Sequence, residues 1–288
     1  MTERRLEITD LIWSFDAHGV RRPVRRQTAI DQLLDRGQRR AARLLARLPH
    51  ERGELSGDAI DALGLRIHGE LQRLGEELQV GRRITETLAT LVAPLHAGEP
   101  GRPVRVIDVG CGTGHVLREI AHLGALPGVE LVGVDLNPIL VAEATRLAEA
   151  EGLACRFVRG DALADGVAIE DGPRTILISS GFLHHLDLDG LAAVLDATEA
   201  QNVAAFAHWD IAPCRWSTLG AWVFHAARMR EPVSRHDGVM SARRAHPAAI
   251  LLDVAGRSAP SYDCEIREGG RWHPRALDVL RPFVGVRR

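Results

Sequence analysis

Apolar residues recur at helical spacing through the first third of the chain. The pattern predicts helices over 29–48, 58–78 and 84–95. Thr28 is suited to cap the first of them, and Pro49 ends it. No stretch of this region has the pattern of a strand, so residues 1–98 are predicted to form a helical region.

A different pattern follows the turn-rich segment 97–103, where short apolar runs alternate with helical stretches. The runs predict strands over 104–110, 131–136, 155–161, 175–180 and 202–210. Helices are predicted between them over 115–123, 139–152 and 188–200. Strands that alternate with helices indicate a parallel sheet covered by helices on both faces.

The C-terminal part departs from this alternation. Helices are predicted over 214–230 and 241–256, and strands over 262–267 and 282–287. No helix of normal length separates these last two strands, so a hairpin at the sheet edge is expected. The predicted fold is therefore α/β: residues 99–288 form a doubly wound, mostly parallel sheet of seven strands, preceded by the helical region 1–98.

The amino-acid composition removes several mechanisms. All 36 basic residues are arginine, which excludes chemistry that needs a lysine amine, such as Schiff bases, pyridoxal phosphate anchoring and phosphate-loop nucleotide hydrolysis. The single tyrosine, Tyr262, has no lysine to form the Tyr–Lys pair of short-chain dehydrogenases.

Charge and cysteine content narrow the choice of partners. The formal net charge is −2, which makes nucleic acid an unlikely partner of the whole protein, although residues 1–50 hold 11 arginines against six acids. The four cysteines form no C-x-x-C pair, so neither a metal site nor a disulfide framework is predicted. The sequence has no apolar signal core or membrane-length apolar run, and a cytoplasmic protein without membrane contact is expected.

Candidate chemistry lies at the ends of the first three predicted strands. The first strand ends in Asp108 and a loop with glycine at positions 110, 112 and 114. Asp135 ends the second strand and Asp161 the third. The carboxyl ends of parallel strands meet at one edge of a doubly wound sheet, which is where ligands bind. His115 occupies the place of the third small residue in a dinucleotide-binding loop, which argues against a nicotinamide cofactor.

The motifs VIDVGCGTG, GVDLNP, GDAL and SSGFLHHL, spread over residues 104–210, resemble those of the class I S-adenosylmethionine-dependent methyltransferases. The resemblance implies a Rossmann-like fold and S-adenosyl-L-methionine as cofactor. It also implies roles: Asp135 would accept hydrogen bonds from the ribose hydroxyls, Asp161 and Ala162 would meet the adenine, and Asp108 would favour the ammonium side. The implied cofactor-binding residues are Asp108, Gly110, Cys111, Gly112, Thr113, Gly114, Asp135, Leu136, Asp161, Ala162, Ser179 and Ser180.

A methyl acceptor that arrives protonated needs a general base. The candidates at the ends of the fourth and fifth strands are His184, His185, His208 and Asp210. Further candidates, in the segment expected to cover the pocket, are His225, His236 and Asp237. Because Ile211 and Ala212 follow Asp210, the Asp-Asn metal pair of catechol-type methyltransferases is missing. The residues at 180–183 do not match the tetrapeptide of amine-methylating nucleic-acid enzymes.

These features favour methyl transfer to an oxygen or nitrogen atom of a small-molecule acceptor, in specialised metabolism. The region 1–98 would serve as a lid or as the contact of a homodimer, and Trp209, Trp216, Trp222 and Phe224 would line the acceptor pocket. One alternative is an RNA or protein methyltransferase that holds an anionic partner. Its anion-binding residues would be Arg21, Arg22, Arg25, Arg26, Arg39 and Arg40. Another is a cofactor-binding protein or pericyclase-like enzyme that transfers no methyl group.

Overall fold

The computed structural model describes residues 5–16, 19–161, 172–213, 217–267 and 280–288. Its helices are α1 (Thr9–Ile12), α2 (Arg26–Asp35), α3 (Arg39–Leu45), α4 (Gly57–Glu77), α5 (Val80–Gly98), α6 (His115–Leu123), α7 (Pro138–Glu151), α8 (Leu188–Ala200), α9 (Ser217–Arg228), α10 (Pro232–Arg244) and α11 (Ala248–Ser258). Its strands are β1 (His50–Glu51), β2 (Glu54–Leu55), β3 (Val104–Val109), β4 (Val129–Asp135), β5 (Arg156–Arg159), β6 (Arg174–Ser180), β7 (Ala205–Ile211), β8 (Tyr262–Ile266) and β9 (Leu280–Arg287).

The chain divides into two compact units. One comprises Met1–Leu74 and Pro213–Ala245, and the other comprises Gly75–Ala212 and His246–Arg288. Helix α5 therefore belongs with the large sheet, although it lies within the region 1–98. The lid or dimer role expected for that region stays a prediction.

The first unit is a helical assembly around a core that includes the fully buried Leu33, Leu45 and Ile60. Two predictions for this region are wrong. The helix expected over 29–48 is two helices, α2 and α3, because the chain turns at Gly37 with φ +67°. Helix α2 also begins at Arg26, so Thr28 lies inside it and does not cap it.

The expectation of no strand before residue 98 is wrong as well. Strands β1 and β2 form an antiparallel ribbon in which His50 pairs with Leu55. Arg52 and Gly53 make the turn between them, with φ +50° and +86°. Two paired residues per strand are too few to produce an alternating pattern, so the ribbon is not visible in the sequence.

The second unit contains the predicted seven-stranded sheet, counted over the described residues. Its strand order is β5-β4-β3-β6-β7-β9-β8. The first five strands are parallel, and β9 pairs antiparallel with both β7 and β8. The α/β fold and the C-terminal edge hairpin are therefore confirmed. From β3 the chain forms β4 and β5 on one side of it and then returns to form β6 and β7 on the other side. The point where the strand order reverses, called the switch point, therefore lies between β3 and β6.

Helices cover both faces of the sheet, as predicted. One face packs against α5, α6 and α7 through residues that include Leu88, Leu117 and Ala144. The opposite face packs against α8 and α11 through residues that include Leu195 and Leu251.

The helix expected over 241–256 is wrong, because α10 ends at Arg244 and α11 begins at Ala248. Pro247 has no N–H to continue a helix, and it forces the preceding residue toward extended backbone. It therefore ends one helix and starts the next. The sequence pattern does not predict the greater part of α10. No helix among the described residues is long and apolar enough to cross a membrane.

Candidate functional site

The loop that follows β3 folds back over the end of β4. The amides of Gly110 and Cys111 both donate to the Val134 carbonyl, at 2.8 and 3.1 Å. The Gly114 amide then donates to the Cys111 carbonyl at 2.9 Å, and α6 begins. The loop thus brings bare backbone to the carboxyl edge of the sheet, at the switch point where ligands bind.

Glycine is required in this loop for two reasons. Gly110, Gly112 and Gly114 have φ of +69°, +55° and +71°, in the left-handed region that other residues adopt only at a cost. Space is also lacking, since a Cβ atom on Gly110 would lie 2.8 Å from the Phe182 ring. A Cβ atom on Gly114 would lie 2.3 Å from the Phe157 ring.

Asp135, at the end of β4, links the glycine loop to the start of α7. Its Oδ2 accepts the Gly112 amide at 2.8 Å, and its Oδ1 accepts the Asn137 amide at 2.8 Å. Asn137 in turn caps α7, since its side chain accepts the Ile139 amide at 3.0 Å. The motif indicates a ligand contact at Asp135 but not this structural role. Each carboxylate oxygen has a second lone pair, so the two roles are compatible.

Asp108, near the end of β3, is a buried carboxyl group with an unpaired oxygen. Its side chain is 2% exposed, and Oδ1 has no hydrogen-bond partner among the described residues. Burial, with a smaller contribution from the nearby Asp135 charge, raises the pKa of Asp108 to about 8. A cationic group such as an ammonium would satisfy this oxygen, so the site has the chemistry expected for the amino-acid end of the cofactor.

The raised pKa of Asp108 predicts a pH dependence of stability. The unfolded carboxyl loses its proton near pH 4, whereas the folded one keeps it up to about pH 8. The unfolded state therefore binds fewer protons over this range, and the contribution of Asp108 to the free energy of unfolding falls as pH rises through it.

Urea denaturation of the wild type and of Asp108→Asn from pH 5 to pH 9 tests this prediction. The stability of the variant relative to the wild type should increase steadily up to about pH 8 and then level off. A constant difference across the range would show that Asp108 titrates normally in the folded protein.

The other predicted cofactor residues lie along the same edge. Thr113 is buried in the glycine loop, Leu136 is exposed after β4, and Asp161 follows β5. Burial raises the pKa of the Cys111 thiol well above its usual value, so this cysteine stays protonated. Ser179 and Ser180 end β6. Ala162 lies outside the described residues.

His184 and Asp210 form a buried pair at the ends of β6 and β7. His184 lies in the 3₁₀ turn Leu183–His185, and its Nδ1 is 2.7 Å from Asp210 Oδ1. Asp210 also accepts the His184 amide at 2.7 Å and the Ile211 amide at 2.6 Å. Burial acts to raise the pKa of Asp210, but the adjacent His184 and these hydrogen bonds lower it overall. The His185 ring lies beside that of His184, with 4.3 Å between centroids.

A second buried pair joins the same two strands. His208 Nδ1 lies 2.8 Å from Ser179 Oγ, while His208 Nε2 has no hydrogen-bond partner among the described residues. Burial lowers the pKa of His208 to about 4, so its ring is neutral at pH 7. The sequence assigns Ser179 to cofactor binding and His208 to the candidate bases. In the structure the side chains of these two residues are in contact.

The remaining candidate bases, in the other compact unit, have structural partners. Asp237 accepts the Ile8 and Thr9 amides, both at 2.9 Å, and lies 2.7 Å from His236 Nδ1. It therefore holds the start of α1. Burial lowers the pKa of His225, which packs against Gly238.

The aromatic residues expected to line one pocket have different surroundings. Trp209 is buried in the sheet core, and Trp222 is 53% exposed. Trp216 lies outside the described residues.

Three of the six arginines considered for an anionic partner are engaged within the protein. Arg21 pairs with Asp61, Arg25 lies 3.9 Å from Glu54, and Arg26 donates to the Ala46 carbonyl at 3.1 Å. The others are exposed: Arg22, Arg39 and Arg40.

Comparison with known proteins supports the motif assignment. Residues 106–200 match the family described as "Methyltransferase domain". A segment of 88 residues is 40% identical to demethylmenaquinone methyltransferase of Thermus thermophilus. That segment is 30% of this chain and spans 38% of the length of the relative. Over this region the chain is therefore similar to S-adenosylmethionine-dependent methyltransferases, in agreement with its motifs and with S-adenosyl-L-methionine as cofactor.

Solved structures with a similar course of the chain include magnesium protoporphyrin IX methyltransferase from Synechocystis PCC 6803 with bound SAH. It is 18% identical, with a TM-score of 0.46, over 91% of this chain and 99% of that one. A structure from work on the conversion of a disulfide bond into a thioacetal group in echinomycin biosynthesis is 25% identical. Its TM-score is 0.44, over 68% of this chain and 79% of that one.

Proposed function

We propose that this protein transfers a methyl group from S-adenosyl-L-methionine to an oxygen or nitrogen atom of a small-molecule acceptor, in specialised metabolism. The observation that carries the proposal is the glycine loop held by Asp135, with the unpaired carboxyl oxygen of Asp108 at the same edge of the sheet. A cytoplasmic location, expected from the sequence, stays a prediction.

The residues of this edge match the parts of the cofactor. Asp135 has lone pairs left for two hydroxyl groups, Asp108 offers an acceptor for an ammonium group, and the glycine loop allows close approach of a ligand. When bound, S-adenosyl-L-methionine supplies a methyl group on a positively charged sulfur that leaves as a neutral thioether. The chain has then to hold and orient the acceptor and to take up its proton.

His184 is the base that the geometry supports best. A carboxylate bonded to Nδ1 of an imidazole fixes its tautomer and orientation and stabilises the imidazolium that forms on proton uptake. Asp210 stands in this relation to His184. His208 is buried as well, but it has no carboxylate bonded to its ring, and its low pKa of about 4 makes it a poor proton acceptor at neutral pH.

Two measurements test the proposal. Isothermal titration calorimetry of the folded protein with S-adenosylmethionine should show saturable binding, and its absence would refute the assignment. A screen for S-adenosylhomocysteine release, using phenols, amines and carboxylic acids as acceptors, should then find a substrate. Cofactor binding without product from any acceptor would favour a cofactor-binding protein or a pericyclase-like enzyme.

The role of His184 is tested by comparing His184→Gln with His185→Gln, using the acceptor found in that screen. The first substitution is expected to lower kcat about 100-fold or more, because general base catalysis contributes roughly 10²–10⁴. The second, at the neighbour whose ring lies beside it, should have a smaller effect. Equal losses in both variants, or an unchanged kcat in the first, would contradict the assignment. Cofactor affinity, measured by calorimetry, should be retained in both.

A further inference from the structure

A small pocket lies at the carboxyl end of β7, beside the pair of His184 and Asp210. Its apolar walls include Leu251 from the first turn of α11 and Phe283 from β9. Its polar lining residues are His208 and Asp210 from β7, Arg281 from β9, and His246 just before α11. No function considered above uses Arg281 or His246.

His208, one of the residues that line this pocket, has an unsatisfied polar atom. The residue is 2% exposed, its Nδ1 is engaged by Ser179, and its Nε2 has no hydrogen-bond partner among the described residues. A buried polar atom without a partner costs roughly 1–3 kcal/mol, and such atoms are uncommon in folded proteins. A ligand group that pairs with Nε2 removes that cost.

The charges around the pocket favour an anion. Arg281 contributes a guanidinium group, and α11, a helix of 11 residues, begins at the pocket wall with no side chain capping it. The start of a helix carries a partial positive charge. His246 does not compete for a ligand with its Nε2, because that nitrogen lies 3.0 Å from the Leu186 carbonyl and must donate to it.

Asp210 is the one carboxylate in the pocket wall, counted over the described residues, and its charge is already compensated. Asp210 accepts hydrogen bonds from the backbone amides of His184 and Ile211, and its side chain also contacts His184 Nδ1. Arg281 and His208 Nε2 offer donors for the two oxygens of a carboxylate, whereas the further oxygens of a phosphate would face Asp210 and the apolar walls without a donor. The pocket thus suits a carboxylate better than a phosphate.

We propose that this pocket binds a carboxylate group, with one oxygen on Arg281 and the other accepting from Nε2–H of His208. Ser179 Oγ then donates to Nδ1, which sets the tautomer of the neutral ring. This carboxylate site rests on the proposed function and assigns the methyl acceptor to the small carboxylic acids. The acid group of the acceptor is bound beside His184 and Asp210, while another of its atoms is methylated.

The binding step is tested without cofactor or turnover. Protein labelled with ¹⁵N-histidine is titrated with sodium acetate at constant ionic strength, and the imidazole signals are followed by NMR. The His208 signals are identified from the spectrum of His208→Gln. Acetate should shift the His208 signals saturably, with a Kd on the order of millimolar for so small a ligand, and the shifts should report hydrogen on Nε2.

Two variants and two salts decide the outcome. Arg281→Met should weaken acetate binding at least about tenfold, because a charge-assisted pair is lost. Arg257→Met, on the exposed end of the same helix α11, should bind as the wild type does. Phosphate should bind more weakly than acetate, and sodium chloride at equal ionic strength should give no saturable shift.

The proposal is overturned if acetate gives no saturable shift, if chloride gives the same shift, or if Arg281→Met binds unchanged. Tighter binding of phosphate would overturn the assignment to a carboxylate. A failed titration leaves cofactor binding by calorimetry unaffected, so the two proposals fail separately. With an acceptor acid in hand, Arg281→Met should raise KM for the acid but not for its neutral amide.

Discussion

Gly114→Ala is expected to lower the free energy of unfolding by about 3 kcal/mol and to abolish detectable binding of S-adenosylmethionine. A left-handed backbone costs a non-glycine residue roughly 1–2 kcal/mol, and overpacking adds about 1–3 kcal/mol. The added Cβ would lie 2.3 Å from the Phe157 ring. That ring cannot yield readily, because it also lies against Gly133, where a Cβ would approach it to 2.4 Å.

Gly124→Ala is the matched control for this substitution. Gly124 ends the same helix that Gly114 begins, and it has a similar φ of +59°, but a Cβ atom added to it would have nothing within 4 Å. It should cost only about 1 kcal/mol of backbone strain and leave cofactor affinity unchanged. Urea denaturation and calorimetry measure both effects. Equal destabilisation of the two variants would show that the contact with Phe157 contributes nothing.

Asp135→Ala is expected to weaken S-adenosylmethionine binding at least about 100-fold and to lower the free energy of unfolding by about 2 kcal/mol. The affinity falls because the acceptor for the ribose hydroxyls is removed and the Gly112 amide loses its partner. The stability falls because the Gly112 and Asn137 amides each lose a charge-assisted hydrogen bond.

Asp187→Ala is the control for Asp135→Ala. It removes a carboxylate that holds a helix start but lies outside the proposed cofactor site. Asp187 caps α8 by accepting the Gly190 amide at 2.8 Å, so its removal costs about 1 kcal/mol of stability. Calorimetry should find its cofactor affinity close to that of the wild type. Unchanged affinity in Asp135→Ala, with the expected loss of stability, would show that the role of Asp135 is structural only.

The sheet and its cofactor edge can be predicted because their signals are local. Apolar runs that end near Asp108, Asp135 and Ser180 mark three strands closely, and the alternation with helices indicates their parallel arrangement. Positive φ at the glycines of the loop is likewise a property of single residues. The errors arise where the signal is weak or broken, as in the two-residue strands β1 and β2 and at the proline between α10 and α11.

The arrangement of the candidate bases cannot be predicted in this way. His184 and Asp210 are 26 positions apart, and their 2.7 Å contact depends on the pairing of β6 with β7 and on the turn after β6. In the sequence, His208 is as plausible a base as Asp210. Burial and its bond to Ser179 distinguish the two, and neither is visible in a single sequence.

Local signals along the chain suffice for the class of fold, the glycine loop, the acids at the strand ends and the resemblance to the methyltransferase class. They suffice because backbone freedom, side-chain periodicity and motif spacing are properties of neighbouring residues. Three features are decided only by the tertiary structure. Asp135 bonds to the glycine loop and to the start of α7, and Asp108 is buried with a raised pKa. Arg281 and His208 line the same pocket. Each of these depends on burial or on strands brought together from distant parts of the chain, which no local pattern records.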